Sequence, residues 1–455
     1  MAGLRTDLYE LNMAASYLRR GMVGPATFSL FVRRLPADRG FLVAAGLQEC
    51  LAFLEGFRFG DGELAWLHHE QGFDQATVAA LGGLRFTGDV WAVPEGRVVF
   101  ADEPLLEITA PIAEAQLVET AMLNHLSFET AVASKAARCR LAAAGRQLVD
   151  FAFRRTQGVD AAMAVARASA MVGFAATSNV EAARRFGLRP AGTMAHSFVE
   201  AFGDERAAFT AFAEDFPGRT TFLVDTYDTL RGVRTAIEVI DELGLSEGLA
   251  VRLDSGDLGA LAVETRRLLD QAGLWGARIF ASGGLDEDAI AELVGQGAPI
   301  DAFGVGTRMG VSADAPYLDS AYKLVRYGDR PVAKLSPGKP SLPGAKQVFR
   351  GQAADRDLLG LRDEPPPQGR EPLLEAVMTA GRRTGGSAAD LAAARARFEA
   401  DLAWLPDAAR ALRAPRPVRV ELTEPLRRLR DQVHTDLLRR GPADPSGGRG
   451  APAAG

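Results

Sequence analysis

The chain has 455 residues and a net charge of −6, since 52 Lys and Arg residues face 58 Asp and Glu residues. Apolar residues make up 47% of it and charged residues 24%, as in ordinary globular proteins. The mild acidic balance argues against a nucleic-acid-binding protein, which would carry a basic stripe. We expect no signal peptide and no membrane span, because neither apolar pattern is present. Two isolated cysteines, Cys50 and Cys139, fit a reducing compartment and form no metal-binding pair.

The first 145 residues are predicted to form an α+β domain, because helical and alternating apolar patterns are mixed within them. Thr6 or Asp7 can cap the first helix, and a Pro-Glu-Gly turn at 94–96 separates two strands. In chain order, the predicted elements are a helix within 1–20, a strand at 26–34, a helix at 43–56, two strands within 85–110 and a long helix or helix pair at 114–144.

Residues 146–320 are predicted to form a β/α domain, because short apolar runs alternate with amphipathic stretches. The apolar runs are 148–153, 190–195, 220–225, 249–254, 277–282 and 300–306. The helical stretches are 158–172, 179–186, 229–244, 257–272 and 286–297. An open doubly wound sheet and a closed barrel both fit this alternation. Polar or glycine residues follow nearly every run, which favours a barrel, where the strand ends converge on one mouth.

The remaining residues are predicted to form two further regions. Residues 321–440 return to short strand-like pieces with a helix at 387–403, and we expect this C-terminal extension to pack on the other domains. Residues 441–455 are rich in Pro, Gly and Ala and lack core-forming side chains, so we expect a disordered tail.

Three groups of residues at the predicted strand ends suggest anion chemistry. Gly304, Gly306 and Thr307 can present backbone N–H groups to a phosphate, although a plain tight turn explains the same pattern. The pair Asp254 and Asp257 can accept ribose hydroxyls or a hydrated Mg²⁺, although an Asx turn and a helix cap are the alternative. Arginines also suit carboxylates and phosphates, unless they only form salt bridges. They are Arg154, Arg155 and Arg252.

His196 is the candidate base or nucleophile, because it follows a predicted strand in a turn of small residues. A single histidine is more often structural, and the other four lie on predicted helices or loops away from the mouth. Tyr9 on its own predicts only helix packing.

Ten motifs, in order from residue 6 to about 350, together resemble the nicotinate phosphoribosyltransferase family. They are TDLYELNMA, FTGDVWAVPEG, KAAR, FRRTQGVDAA, GFAATSNV, GTMAHSFV, LVDTYDTLRGV, VRLDSGDL, GAPIDAFGVGTR and YKLV. Beyond about 350 the likeness is loose.

The resemblance implies a cytoplasmic enzyme with an irregular β/α barrel, an N-terminal α+β domain and a C-terminal extension. It implies condensation of nicotinate with 5-phosphoribosyl 1-pyrophosphate to nicotinate mononucleotide and pyrophosphate, the first step of NAD synthesis from nicotinate. ATP hydrolysis would be coupled to the reaction through a phosphorylated histidine, with Mg²⁺ present, in a homodimer with shared active sites.

The same resemblance implies roles for individual residues. His196 would be phosphorylated, and Tyr9 would stack on the pyridine ring, reaching a partner subunit's site. Thr193, Arg252 and Arg154 would bind nicotinate. The sugar-phosphate substrate would be held by Thr307, Gly304, Gly306, Asp225 and Ser282. Because the transfer passes through a sugar cation, Asp225 or Asp254 would stabilise positive charge or hold the ribose hydroxyls. The Mg²⁺ ligands stay unassigned.

Two alternative functions remain. A nicotinamide phosphoribosyltransferase would place an Asp near Ser178, and its absence favours the acid as substrate. A nucleotide-binding barrel without turnover is the other alternative, and the intact His196, Arg252, Asp254 and Thr307 argue against it. One departure concerns Ser282-Gly283-Gly284, where the family often has Ser-Asn-Asn or Ser-Asn-Asp.

Overall fold

The computed structural model describes residues 2–336, 341–385 and 390–439. The predicted tail at 441–455 lies outside these residues. The first region contains helices α1 (Leu8–Arg19), α2 (Leu47–Gly56), α3 (Asp61–His69), α4 (Gln75–Gly83), α5 (Ile112–Leu117) and α6 (Glu119–Ala142), and strands β1 (Pro25–Val32), β2 (Leu42–Val43), β3 (Asp89–Ala92), β4 (Val98–Val99) and β5 (Pro104–Pro111). The helix predicted from residue 43 begins only at Leu47. The chain before it is extended as far as strand β2, and Gly46, with a φ of 94°, makes the turn into the helix.

The middle region alternates strands and helices as predicted. Its strands are β6 (Gln147–Asp150), β7 (Ala176–Thr177), β8 (Thr221–Leu223), β9 (Ala250–Leu253), β10 (Arg278–Ala281) and β11 (Ala302–Val305). Its helices are α7 (Val159–Met171), α8 (Val180–Phe186), α9 (His196–Phe202), α10 (Glu205–Asp215), α11 (Thr229–Glu242), α12 (Leu258–Gln271), α13 (Glu287–Gly295) and α14 (Thr307–Gly310), with a short 3-10 helix at Phe153–Arg155.

The six middle strands form one parallel sheet in the order β7-β6-β11-β10-β9-β8. Of these six strands, the first in sequence, β6, pairs with the last, β11, as the first and last strands of a barrel do. Within residues 2–336, however, the outer strands β7 and β8 do not pair with each other. The sheet is therefore a half-barrel that is open on one side.

One predicted strand, on the open side of the half-barrel, is wrong. Residues 190–195 make only a single parallel bridge, between Thr177 and Pro190. Pro190 has no N–H to donate to a ladder, and the chain then turns into α9 at His196. The strand beside β6 is instead β7, which has two residues and too little sequence to show a pattern.

Aspartates fix where the helices after these strands begin. The side chains of Asp228, Asp257 and Asp286 accept hydrogen bonds from the backbone N–H groups of Arg231, Ala260 and Ala289, at 2.8, 3.0 and 3.1 Å. Such caps satisfy donors that the first helical turn leaves free. Asp257 is therefore a helix cap, which was the alternative to a ligand role in the sequence analysis.

The C-terminal region adds strands β12 (Ser320–Tyr327), β13 (Arg330–Pro331), β14 (Lys346–Gly351), β15 (Arg356–Leu361), β16 (Arg370–Pro372), β17 (Glu375–Thr379), β18 (Arg382–Arg383) and β19 (Arg419–Leu422), and helices α15 (Leu391–Trp404), α16 (Asp407–Arg410) and α17 (Glu424–Arg439). Four of these strands complete a seven-stranded antiparallel sheet with order β13-β12-β1-β5-β3-β17-β18. Strands from the first region and from the C-terminal region thus share one sheet. Of the helix predicted at 387–403, residues 387–389 lie outside the described part.

Helix α6 joins the two main hydrophobic clusters, one around the antiparallel sheet and one around the half-barrel. The KAAR segment on α6 carries buried ion pairs: Lys135 Nζ lies 2.5 Å from Glu287 and 3.0 Å from Asp314, and Arg138 Nε lies 2.7 Å from Glu287. These contacts fasten α6 to α13. Within the described part of the chain, no helix is long and apolar enough to cross a membrane.

Candidate active site

Arg252 is the centre of the polar cluster at the carboxyl ends of the parallel strands. From β9 its guanidinium donates to Ser282 Oγ at 2.8 Å, to Thr193 Oγ1 at 3.3 Å and to Asp254 Oδ1 at 2.7 Å. Its carbon Cζ also lies 5.2 Å from the centre of the Phe151 ring. Only 12% of the side chain is exposed. Since four different segments hold this guanidinium, its orientation is fixed before any ligand arrives.

Asp225 and Asp254 lie side by side at the ends of β8 and β9. Asp225 Oδ2 accepts the backbone N–H of Asp254 at 3.1 Å and the hydroxyl of Ser255 at 2.5 Å. Asp225 Oδ1 is buried and has no hydrogen-bond partner within the described residues. Asp254 also accepts the hydroxyl of the buried Ser282. The pair presents hard oxygen atoms next to the guanidinium of Arg252.

The glycines after Ser282 differ in what they permit. Gly283 has a φ of 96°, and a Cβ built there would lie 1.9 Å from the backbone oxygen of Asp254. Gly284 has a φ of 66°, and a Cβ there would meet no atom within 4 Å. Gly283 therefore lets the loop after β10 approach the backbone of Asp254 closely.

Restoring the common residue at each position is expected to have opposite outcomes. Gly283→Asn must displace Asp254, so we expect at least a 10-fold loss of turnover, and about 2 kcal/mol less stability from the backbone clash and the positive φ. Gly284→Asn is the matched control and should stay close to wild type, because Asn tolerates the left-handed region and finds open space. Steady-state rates and urea unfolding measure both variants. Equal behaviour of the two variants would contradict this account.

His196 begins helix α9 on the open side of the half-barrel and is half-buried. Its Nδ1 lies 3.2 Å from Thr226 Oγ1, which follows Asp225 in the chain. This contact orients the ring and leaves Nε2 available, because the described residues give that atom no partner. Thr193 is three residues earlier in the same turn, so one segment connects His196 with the Arg252 cluster.

A cavity of about 640 Å³ lies beside this cluster. It is bordered by four residues that the sequence singled out: Arg154, Ser178, Thr193 and Arg252. Arg154 extends into it from the 3-10 helix and is exposed. The other lining residues are Phe151, Phe153, Thr156, Gly158, Val159, Gly192, Met194 and Ala195. The cavity therefore combines apolar and aromatic walls with two guanidinium groups, which suits a planar organic anion.

The glycines of the Gly-x-Gly-Thr motif have different surroundings. Gly304 is buried within β11, where a Cβ would lie 2.7 Å from the Phe151 ring, so its role is to make room for that ring. Gly306 is half-buried, and Thr307 is exposed as the first residue of α14. Of these three residues, Gly306 and Thr307 are the ones that reach the surface.

Tyr9 lies on α1 and does not border the cavity of its own chain. Burial, together with Glu119 and Glu10, raises the pKa of its phenol, whose hydroxyl interacts with both carboxylates. The residue is still 47% exposed. Its ring is therefore held on the surface.

Two residues of the site were missed by the sequence analysis. Phe151 supports Arg252 and lines the cavity, and Thr226 contacts His196. Phe151 lies inside the predicted apolar run 148–153, and Thr226 directly follows the predicted run 220–225. An aromatic and a hydroxyl side chain at these positions carry no chemical signal of their own.

Comparisons with known proteins identify the nicotinate phosphoribosyltransferase family. Residues 4–127 match the model of the nicotinate phosphoribosyltransferase N-terminal domain, and residues 146–334 match that of the nicotinate phosphoribosyltransferase family. A nicotinate phosphoribosyltransferase from Mycobacterium tuberculosis is 51% identical over 87% of this chain and 86% of the relative. One from Bacillus subtilis is 42% identical over 79% of this chain and 76% of the relative. The crystal structure of human nicotinic acid phosphoribosyltransferase covers 94% of this chain and 99% of its own, with 31% identity and a TM-score of 0.83.

Proposed function

Since the chain belongs to the nicotinate phosphoribosyltransferase family, we propose that it condenses nicotinate with 5-phosphoribosyl 1-pyrophosphate in the cavity beside Arg252. The products are nicotinate mononucleotide and pyrophosphate, in the first step of NAD synthesis from nicotinate. The observation that carries the proposal is the restrained guanidinium of Arg252 beside an apolar cavity of about 640 Å³.

Nicotinate binds through its carboxylate to Arg252, with Thr193 and Arg154 completing the pocket. A guanidinium offers a carboxylate two parallel N–H groups, and low solvent exposure strengthens that contact. The Phe151 ring supplies an apolar surface next to the pyridine. With the carboxylate fixed, the ring nitrogen faces the anomeric carbon of the sugar.

The transfer breaks the bond from the anomeric carbon to pyrophosphate and forms the bond from that carbon to the pyridine nitrogen. Positive charge grows on the sugar between these events, and Asp254 or Asp225 stabilises it or holds the ribose hydroxyls. Thr307, with the backbone of Gly306, binds phosphate of the sugar substrate, and Ser282 keeps Asp254 and Arg252 in register.

The donor set also fits Mg²⁺. Asp225 Oδ1 is a buried carboxylate oxygen without a hydrogen-bond partner in the described residues, and Mg²⁺ prefers such oxygens. Asp225 would hold the ion through this atom. When bound, Mg²⁺ would neutralise charge on the leaving pyrophosphate.

ATP drives the reaction through His196. The imidazole attacks the terminal phosphorus of ATP, the bond to the ADP oxygen breaks, and a nitrogen–phosphorus bond forms; water later hydrolyses it. Thr226 holds Nδ1, which directs Nε2 to the phosphorus. The new phosphate adds up to two negative charges to the mouth and attracts the nearby guanidinium groups.

Ser178 is the residue that favours nicotinate over nicotinamide. It borders the cavity that holds Arg252. Ser178→Asp is expected to raise the KM for nicotinate at least 10-fold, because two carboxylates would face each other in one pocket. Ser178→Asn has nearly the same shape without the charge and serves as control. Steady-state kinetics with nicotinate would contradict the proposal if both variants shifted the KM equally.

The assembly and location are part of the same proposal. Tyr9, exposed on α1 and away from its own cavity, is suited to stack on pyridine in a partner subunit of a homodimer. We assign residues 1–145 to an N-terminal domain, 146–320 to an irregular β/α barrel and 321–440 to a C-terminal extension. The separate parallel sheet of β6–β11 supports the barrel assignment, and the extension shares an antiparallel sheet with the N-terminal domain. We assign the enzyme to the cytoplasm, supported by its two unpaired buried cysteines.

Pyrophosphate release tests the function. The purified chain is given 5-phosphoribosyl 1-pyrophosphate and nicotinate, nicotinamide or quinolinate in turn, with and without ATP. We expect release with nicotinate, faster with ATP, and little with the other two. Preference for nicotinamide would indicate the amide enzyme, and no release with any acceptor would indicate a binding protein without turnover.

A further inference from the structure

A second cavity, of about 390 Å³, lies between the half-barrel and the C-terminal region. Its walls come from α7, β7, the end of α8 and the start of α15. This volume lies within the range of small-molecule sites, which is about 300–1,000 Å³. The size fits one ligand of nucleotide size.

This cavity is separate from the catalytic one, although both touch the same two elements. The catalytic cavity meets the start of α7, at Val159, and the residue after β7, Ser178. The second cavity meets α7 at Ala166 and Ala170, and β7 at Ala176. They therefore lie at opposite ends of α7 and β7.

Two guanidinium groups at this cavity are uncommitted. Arg189, after α8, and Arg395, on α15, line it, and neither side chain makes a hydrogen bond or ion pair with any described residue. Among the described lining residues, Asp390 alone has a carboxylate, and its Oδ1 already accepts the backbone N–H of Ala392 at 2.8 Å. The cavity therefore has an excess of positive charge.

The rest of the wall is apolar. Phe174 is buried, and Phe186 and Leu188 are half-buried around the opening. Two exposed guanidinium groups without partners among the described residues suit a phosphate monoester, which offers three oxygens and nearly two negative charges. The apolar wall suits a flat organic body attached to that phosphate.

We propose that this cavity is a second binding site, distinct from the catalytic one, for a phosphate monoester of mononucleotide size held by Arg189 and Arg395. The phosphate contacts the two guanidinium groups, and the organic body packs on Phe186 and Leu188. The proposal does not depend on the reaction assigned to the catalytic cavity.

Hydrogen exchange with AMP as the probe tests the proposal. We expect millimolar AMP to slow amide exchange at least about twofold in residues 186–189 and 391–396 of the full chain. Residues 391–396 do not line the catalytic cavity, so binding in that cavity does not explain protection there, and this peptide decides the test. Inorganic phosphate, tested in parallel, should protect them less, because it lacks the organic body.

The double variant Arg189→Ala/Arg395→Ala should lose this protection. The control Arg234→Ala/Arg267→Ala, which removes two exposed arginines from α11 and α12, should keep it. Ala170→Phe retains both guanidinium groups and should also abolish protection by filling the cavity. Turnover with nicotinate, measured without AMP, should stay within about twofold of wild type in the double variant, since neither arginine lines the catalytic cavity. Absence of protection in the wild-type chain, or protection that survives in the double variant, would overturn the proposal.

Discussion

Replacing His196 with Ala is expected to abolish phosphoryl transfer from ATP to the protein and to remove the stimulation of turnover by ATP. The half-buried imidazole is the proposed nucleophile, and Ala offers no atom that can bond to phosphorus. With ATP present, turnover should fall to the ATP-free rate of the wild type. We expect covalent labelling from γ-labelled ATP to fall at least about 100-fold.

His69→Ala is the matched control, because His69 is an exposed histidine on α3 in the other region of the chain. It should keep wild-type labelling and coupling. Thr226→Val keeps the imidazole but removes its oriented partner, so it should slow phosphorylation by about 10-fold without abolishing it. ATP-dependent turnover that persisted unchanged in His196→Ala would refute the phosphohistidine.

Replacing Arg252 with Ala is expected to raise the KM for nicotinate by about 100-fold, or about 3 kcal/mol. The variant loses the cation that we propose binds the nicotinate carboxylate. It also leaves Asp254 and the buried Ser282 without their shared donor. Arg252→Lys should recover little, because one ammonium cannot reach Thr193, Asp254 and Ser282 together.

Arg155→Ala is the control for net charge. Arg155 is the exposed neighbour of Arg154 and does not line the cavity. Its removal should leave the KM for nicotinate within about twofold of wild type. Isothermal titration of nicotinate, alongside steady-state kinetics, separates lost binding from lost chemistry. Similar losses in Arg155→Ala and Arg252→Ala would mean that general charge, rather than one guanidinium, attracts the substrate.

Sequence patterns predicted most of the alternating region, for a clear physical reason. Strands buried on both faces, such as β11, are continuous apolar runs, and aspartates such as Asp257 mark where helices begin. The polar residues after these strands were predicted to meet at one mouth, and Arg252 does bond to Thr193, Asp254 and Ser282.

Other features needed the folded chain. Residues 190–195 are as apolar as a strand but carry Pro190, and tertiary contacts allow them one bridge. Helices α10 and α17 were not predicted. The close approach of Gly283 to the backbone of Asp254 also depends on contact between two loops that are far apart in the sequence. Long-range packing of this kind leaves no periodic trace in the residues themselves.

The missing pairing between β7 and β8 has a consequence for catalysis. The segment between β7 and α9 carries Thr193 and leads to His196. Among the described residues, no strand pairs with it after Ala191. If His196 is phosphorylated as proposed, we expect this segment to adjust more readily than the paired strands. A rigid sheet with one unpaired segment would thus let phosphorylation of His196 change the position of Thr193 in the substrate pocket.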